Sequence, residues 1–240
     1  MNIHHTLARP VLATLAFFAF ALSGSGNATT ILSFEGPLPP GLVATSFWQG
    51  TAVPNVARVT DQYLSTGLVI SGAALVDLGV GHAASGTNGL AGIDGNGNLD
   101  YDSPLTFSFF MPGNGGVAGT TDYFAYSADL GGGSGNILTI SAYDLLGVLL
   151  GQVSFVETGT FTSPLVLSGF GQFHSITVDH TLFNTSSGGI GIDLVTFGDV
   201  TTSVPEPGTL TLLSLGLAGL GFARRKKQQA ADRTTADITE

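Results

Sequence analysis

Ten short apolar or alternating segments account for most of the chain between residues 29 and 203. They are TILSFE, GLVISG, AALVDLG, PLTFSFFM, TDYFAYSAD, NILTISAY, VLLGQVSFVE, PLVLSG, HSITVDH and GIGIDLVTF. Turn-forming stretches separate them, among others PLPPG, GTNG, DGNGN, PGNGG, GGGSGN and SSGG. No part of this range sustains a helical period over about ten residues. The pattern predicts an all-β fold, a single jelly-roll-like β-sandwich.

The charge of this central range is strongly negative. Arg58 is its one Lys or Arg, whereas it contains 13 Asp and Glu, which gives a net charge of −12. Such a surface repels phosphate backbones, so nucleic-acid binding is excluded as a function. Because few cationic side chains can pair with the acids, divalent cations are plausible partners. The chain has no cysteine, which excludes disulfides, thiolate metal sites and a cysteine nucleophile.

The first 28 residues have the three regions of a secretory signal peptide. Arg9 is followed by the apolar run VLATLAFFAFAL and by the small residues SGSGNA. This order predicts cleavage by signal peptidase after Ala28. The alternative is an uncleaved N-terminal anchor, but the apolar run is short for a membrane span. The exported domain is then predicted to comprise residues 29–203.

The C-terminal part has a second three-part order, in residues 204–227. Val204, Pro205, Glu206 and Pro207 come first, and the two prolines disfavour the helical conformation of the residues before them. An uncharged run, residues 208–223, would span roughly 24 Å as a transmembrane helix. A basic stop-transfer cluster follows, formed by Arg224, Arg225, Lys226 and Lys227. Residues 228–240 are predicted to be a disordered cytoplasmic tail.

This tail, together with an N-terminal signal peptide, resembles the PEP-CTERM sorting signal, also known as the ice-binding protein C-terminal domain. The resemblance implies recognition by exosortase, a membrane protease or transpeptidase that cuts near Pro-Glu-Pro. It further implies a precursor held transiently in the inner membrane, with its domain outside and its basic tail cytoplasmic. The released protein would go to the cell surface or extracellular matrix. An ordinary C-terminal anchor is the alternative. The flat, regular threonine arrays that ice binding requires are missing from the sequence.

The central domain is also similar, more loosely, to the jelly-roll modules found in such proteins, which resemble carbohydrate-binding modules. The segments that carry the resemblance are ILSFEG, LTFSF, ISAYDLLGVLLG and GIDLVTF. In those modules the first and last strands lie together and share a structural Ca²⁺. The resemblance thus implies Glu35 and Asp193 as metal ligands. Independently, an Asp between apolar strand residues is costly to bury unpaired, so a metal or backbone amides should satisfy Asp193. Exposure at a strand edge is the alternative.

A second oxygen-rich segment, DGNGNLDYD at residues 94–102, has side-chain oxygens at alternate positions. It lacks the glycine and the bidentate glutamate of an EF-hand loop, with Leu99 and Leu105 in their places. Asp-Gly and Asn-Gly pairs are common in plain turns. A turn without metal is therefore the preferred interpretation.

Sequence signatures of enzymes are missing: there is neither a G-x-S-x-G elbow nor an H-E-x-x-H motif. His174 and His180 form no metal site without a third ligand, and isolated histidines are the favoured interpretation. Five aromatic residues are candidates for stacking on sugar rings, although most are expected in the core: Trp48, Tyr101, Tyr123, Tyr126 and Tyr143. We therefore expect a non-enzymatic exported protein, with a polysaccharide as its partner. The alternative is a polysaccharide-active hydrolase on the same fold.

Overall fold

The computed structural model describes residues 29–113, 116–129, 137–156, 164–181 and 191–202. These residues form thirteen β-strands and two short 3-10 helices, Asn55–Ala57 and Leu64–Thr66. The strands are β1 (Thr30–Leu32), β2 (Thr45–Ser46), β3 (Arg58–Val59), β4 (Leu68–Ser71), β5 (Ala73–Asp77), β6 (Asn88–Gly92), β7 (Leu105–Phe109), β8 (Thr121–Asp129), β9 (Ile137–Tyr143), β10 (Leu149–Val156), β11 (Leu165–Phe173), β12 (Ser175–Thr181) and β13 (Gly191–Phe197). The prediction of an all-β sandwich is confirmed.

Two sheets make up the sandwich. One has five strands in the order β10-β9-β12-β7-β4. The other has eight strands, with the order β11-β8-β13-β6-β5-β2 and with β1 paired to β13 and β3 paired to β5. The last strand in sequence, β13, therefore lies inside its sheet and pairs with β1, β6 and β8.

The core between the sheets is built by alternation along the strands. In β7, Leu105, Phe107 and Phe109 are buried and the two residues between them are half-exposed. Phe109 contacts the rings of Phe173 and Phe197, with centroids 5.8 Å and 5.5 Å apart. Burial of so many large side chains is the main source of stability in a domain without disulfides.

Strand β5 is buried on both faces, which explains why AALVD has no alternation. Its outer face lies under a second apolar cluster, to which Val53, Ala57, Leu99 and Tyr101 contribute. The segment 93–103 thus covers the outside of the eight-stranded sheet and brings the 94–102 segment next to residues 47–52.

One predicted turn is wrong. GTNG, residues 86–89, was expected to separate strands, but Asn88 and Gly89 belong to β6. The strand NGLAG is rich in small residues because its neighbours approach closely. A Cβ at Gly89 would lie 3.0 Å from the backbone oxygen of Ile192, and one at Gly92 would collide with the backbone oxygen of Ser103. Sequence patterns based on large apolar residues therefore miss β6, as they miss the two-residue strands β2 and β3.

No helix within the described ranges is long and apolar enough to cross a membrane. The predicted signal peptide, residues 1–28, and the predicted transmembrane helix, residues 208–223, lie outside those ranges, as does the tail that follows.

Two core tyrosines carry hydroxyl groups that are buried without a hydrogen-bond partner among the described residues, Tyr63 and Tyr126. Burial raises the pKa of Tyr63 to about 12 and that of Tyr126 well above its ordinary value. Since the unfolded chain ionises first as pH rises, both groups make the folded state lose stability above about pH 10.

We expect Tyr126→Phe to raise the free energy of unfolding by about 1 kcal/mol at neutral pH, because it removes an unsatisfied buried hydroxyl. The variant should also lose part of the alkaline destabilisation. Urea unfolding at neutral pH and above about pH 10 measures both effects. Tyr123→Phe, at a half-exposed position, is the control. A destabilised Tyr126→Phe protein would mean that the hydroxyl has a partner.

Candidate functional site

Asp193 is buried in the middle of the eight-stranded sheet, with 1% of its surface exposed. Its Oδ2 accepts a hydrogen bond of 2.6 Å from the backbone amide of Ser85, and its Oδ1 accepts one of 2.6 Å from the amide of Leu194. Exposure at a strand edge, the alternative considered for this residue, is therefore wrong. Backbone amides, one of the two kinds of partner predicted for Asp193, fill this role in the structure by donating to both carboxylate oxygens.

The backbone around Asp193 is irregular in a way that serves this carboxylate. The register between β13 and β8 shifts between Asp193 and Thr196, which marks a β-bulge. Leu194 has a φ of 48°, in the left-handed region that non-glycine residues rarely adopt. This conformation accompanies the hydrogen bond between the Leu194 amide and the preceding side chain. Backbone strain of this kind persists only where surrounding contacts maintain it.

Glu35, three residues after the end of β1, is half-buried and faces the same loop. Its Oε1 accepts hydrogen bonds from the amides of Thr87, at 2.7 Å, and Asn88, at 2.6 Å. The side chain of Asn88 in turn donates to the backbone oxygen of Phe34, at 3.0 Å. Gly86 has a φ of 88°, a conformation that favours glycine, and a Cβ there would also meet the Glu35 carboxylate.

The structure thus brings both predicted ligands to one segment, Ser85–Asn88. Asp193 binds the beginning of this segment and Glu35 binds its end. The hydroxyl oxygen of Ser85, whose amide binds Asp193, is buried without a hydrogen-bond partner in the described part of the chain. Two carboxylates and a hydroxyl are the hard oxygen donors that Ca²⁺ prefers. Within the same part of the chain, no group of three or more His, Asp or Glu side chains forms a metal cluster.

The 94–102 segment forms a turn held by its own side chains. Asp94 Oδ1 accepts hydrogen bonds from the amides of Asn96, at 2.9 Å, and Asn98, at 2.7 Å. The bond from the Asn98 amide is the main cause of the lowered pKa of Asp94. Asp100 receives hydrogen bonds from the Ser103 hydroxyl, at 2.7 Å, and from the Gln49 side chain, at 3.3 Å. Asp94 and Asp100 therefore serve as hydrogen-bond acceptors that hold the turn.

The two candidate histidines are not brought into a described metal site. His174 Nδ1 lies 2.8 Å from the backbone oxygen of Gly119, and its ring contacts Phe110 edge-on. The side chain of His180 lies outside the described residues.

Among the five candidate aromatic residues, Trp48 is the most exposed, at 66%. Its ring stacks on that of Phe47, with centroids 4.5 Å apart and planes inclined by 29°. Tyr101 is buried behind the pair, and its hydroxyl donates to the Phe47 backbone oxygen at 2.8 Å. Tyr126 lies in the core. We call Phe47 and Trp48, with the neighbouring Gln49 and Asp100, the aromatic platform.

Phe47 was not among the residues predicted for the site, although the aromatic pair in the segment TSFWQG indicates an exposed ring. Two adjacent aromatic residues in an extended segment cannot both face the core of the domain, because successive side chains point to opposite faces of the sheet. An aromatic pair in a short polar segment therefore indicates that at least one ring is exposed.

Two of the shallow cavities among the described residues lie elsewhere on the sandwich. One, of about 380 Å³, is lined by Asp122, Tyr123, Ser168 and the glycines 169 and 171. The other, of about 240 Å³, lies beside Arg58, whose guanidinium donates to the backbone oxygens of Val53, at 3.4 Å, and Gly97, at 3.2 Å. Each of these cavities is lined by a single carboxylate, Asp122 in the first and Asp94 in the second.

Comparison with known protein families assigns a class to the C-terminal segment. Residues 203–227 match the PEP-CTERM protein-sorting motif, which confirms the motif predicted from the sequence. This motif implies export, and processing by exosortase of a membrane-anchored precursor at the cell surface. Comparison with curated protein sequences gives no match.

Solved structures that are similar to part of this chain include the enzymatically active domain of bacteriophage CBA120 tailspike protein 4, at 13% identity and a TM-score of 0.32 over 62% of this chain. A carbohydrate-binding module of Cellvibrio mixtus lichenase 5A, in complex with cellotriose, has 17% identity and a TM-score of 0.27 over 55% of this chain and 90% of its own. An Arthrobacter globiformis isomalto-dextranase in complex with panose has 14% identity and a TM-score of 0.32 over 71% of this chain. The chain spans about a fifth of the tailspike domain, 21%, and 32% of the dextranase. At these similarities the function has to be argued from the site itself.

Proposed function

We propose that the exported domain is a non-enzymatic protein of the cell surface or extracellular matrix that binds a neutral polysaccharide at the aromatic platform. The observation that carries this proposal is the stacked pair of Trp48 and Phe47, exposed by 66% and 40%. A soluble surface seldom keeps two adjacent large aromatic rings in water without a binding role. Their flat apolar faces suit the C–H faces of sugar rings.

Polar groups beside the rings supply what sugar hydroxyls need. Gln49 donates to Asp100, which also accepts from Ser103, so an amide and a carboxylate are fixed next to the platform. Ligand sites of this kind combine apolar area with a few oriented polar groups. The net charge of −12 in residues 29–203 disfavours an acidic polysaccharide, which is why we propose a neutral one.

The hydrolase alternative has less support. Glycoside hydrolysis by the usual route needs two carboxyl groups flanking the scissile bond. In the cavity of about 380 Å³, Asp122 is the one carboxylate among the described lining residues. The aromatic platform includes Asp100, whose oxygens are engaged by Gln49, Ser103 and the Asp102 amide.

Calcium at Glu35 and Asp193 is part of the proposal, as a structural ion. The free lone pairs of the two carboxylates and the unpartnered Ser85 hydroxyl would hold it, next to strands β1 and β13. The ion would supply positive charge to a domain that has almost none of its own and would fix the 79–87 loop on the sheet. We also propose that signal peptidase removes residues 1–28 and that the basic cluster stays cytoplasmic, with the acidic domain outside.

We expect Trp48→Ala to weaken binding to immobilised neutral glycans by at least about tenfold, since central aromatic residues dominate such contacts. The measurement is a glycan array with the detergent-solubilised chain, followed by titration of the best ligand. Because Trp48 is exposed, the melting temperature of the Trp48→Ala protein should equal that of the wild type. Val166→Ala, at an exposed apolar position on β11, is the control. Unchanged binding by Trp48→Ala would contradict the platform, and cleavage of the glycan would favour the hydrolase.

A further inference from the structure

The tip of the β9–β10 hairpin exposes a continuous apolar surface. Its residues are DLLGVLL, 144–150. All five large apolar side chains of this stretch are exposed, and Leu146 reaches 87%. We call residues 144–150 the hairpin tip. Contiguous apolar surface on an exported, otherwise acidic domain requires a partner that is itself apolar.

Four backbone amides of the hairpin tip donate hydrogen bonds within the turn. Asp144 Oδ1 accepts hydrogen bonds from the amides of Leu146 and Val148, both at 2.8 Å. The amide of Asp144 donates to the oxygen of Val148 at 3.0 Å, and the amide of Gly147 donates to the oxygen of Asp144 at 3.1 Å. Gly147 has a φ of 77°, so the turn needs glycine there. These four donors stay paired when the turn leaves water, which lowers the cost of moving it into an apolar environment.

The hairpin tip lies at the end of the sandwich from which the chain leaves toward the sorting motif. At the base of the hairpin, the Tyr143 oxygen accepts a hydrogen bond of 2.8 Å from the His174 amide. The His174 ring contacts the backbone of Gly119 at 2.8 Å. The next residue, Thr120, pairs with Thr201, one residue before the described chain ends. Val117, close to this exit, is also exposed.

The connection to the membrane is short. Five residues, 203–207, lie between Thr202 and the start of the uncharged run at Gly208. Even fully extended, five residues span no more than about 18 Å. In the membrane-anchored precursor, the end of the sandwich that carries the hairpin tip must therefore lie close to the bilayer.

We propose that the hairpin tip is a membrane-docking element that inserts its leucines into the interface of the bilayer that holds the precursor. The inference rests on the anchoring implied by the sorting motif. The stretch 145–150 has no charged residue, and the domain is strongly acidic, so the surface it fits is a zwitterionic lipid interface. Docking holds the domain upright, and it presents the Pro-Glu-Pro segment at a constant height above the membrane.

The test uses the natural absence of cysteine, which makes single-cysteine labelling specific. The full chain is reconstituted into phosphatidylcholine vesicles with an environment-sensitive fluorophore at Leu146→Cys. The control is Ile137→Cys, an exposed apolar position at the other end of β9 from the hairpin tip. Lipids with a spin label at the top of the acyl chain should quench the label at 146 strongly and the label at 137 only to background.

Each outcome is decisive. Equal, weak quenching at both positions, in chains that float with the vesicles, would overturn docking and leave anchoring intact. If the chains fail to float with the vesicles, both the docking proposal and the membrane anchoring on which it rests are overturned. A label at 146 that is blue-shifted but not quenched would show that another protein segment covers the hairpin tip, which also overturns the proposal. Leu145→Ser in the labelled chain should reduce the quenching at 146, and dilution to about one chain per vesicle should not, since docking requires no second copy.

Discussion

Asp193→Ala is expected to lower the free energy of unfolding by about 3 kcal/mol, because two buried amides lose a charged acceptor. These are the amides of Ser85 and Leu194. For a domain of this size, the loss corresponds to a decrease in melting temperature of roughly 6–12 °C. The effect should appear in the presence of chelator, because it arises from hydrogen bonds. Asp179→Ala, an exposed carboxylate on β12, is the matched control and should change little.

The same variant tests the calcium proposal. Calcium at 100 times its dissociation constant should stabilise the wild-type chain by about 2.7 kcal/mol, so its melting temperature should rise with calcium and fall with chelator. Asp193→Ala should abolish this response, and Asp94→Ala should keep it because that carboxylate belongs to a separate turn. A wild-type melting curve that does not respond to chelator would contradict the calcium proposal. The hydrogen-bond account of Asp193 would remain.

Replacement of Pro205, Glu206 and Pro207 by alanine is expected to abolish release of the protein in a host that contains exosortase. The motif at residues 203–227 is the feature that the processing enzyme reads, and alanines would remove the conformational restriction of the two prolines. The measurement is the fraction of protein in membrane and medium over time, with the size of each species.

The control for this experiment replaces Gln228 and Gln229, beyond the basic cluster, by alanine and should be released normally. Release of the alanine variant at the wild-type rate would contradict the assignment of the sorting signal. Failure of both variants to reach the membrane would indicate a defect in export before processing.

Much of the fold could be predicted because large apolar residues mark its strands. All ten predicted segments contain or overlap a strand of the structure, from TILSFE at β1 to GIGIDLVTF at β13. Strand β6 was not predicted, because its glycines at 89 and 92 reflect close contacts with residues distant in sequence. Such contacts leave no periodic signal in the segment itself. The sheet order, with β13 between β8 and β6, is likewise a long-range property.

The candidate site could also be predicted only in part. A carboxylate among the apolar residues of GIDLVTF is unusual, and this could be seen in the sequence. The structure shows that this carboxylate, Asp193, is buried. Its actual partners, the amides of the loop before β6, could not be identified because backbone amides carry no sequence signature. The aromatic platform depends on Phe47 as well as Trp48, and only the folded chain shows that Tyr101 fixes the backbone behind them.

The interior position of β13 has a consequence for the order in which the exported chain can fold. Export delivers the chain from its N-terminal end, so β13 is the last of the described strands to emerge from the secretion channel. Until residues 191–197 have emerged, β1 lacks its partner, and β6 and β8 each lack one neighbour. Non-local pairing of this kind is slow and exposes unpaired edges while it is incomplete. Only ten residues, 198–207, separate β13 from the uncharged run, so the eight-stranded sheet closes at about the time when that run reaches the membrane.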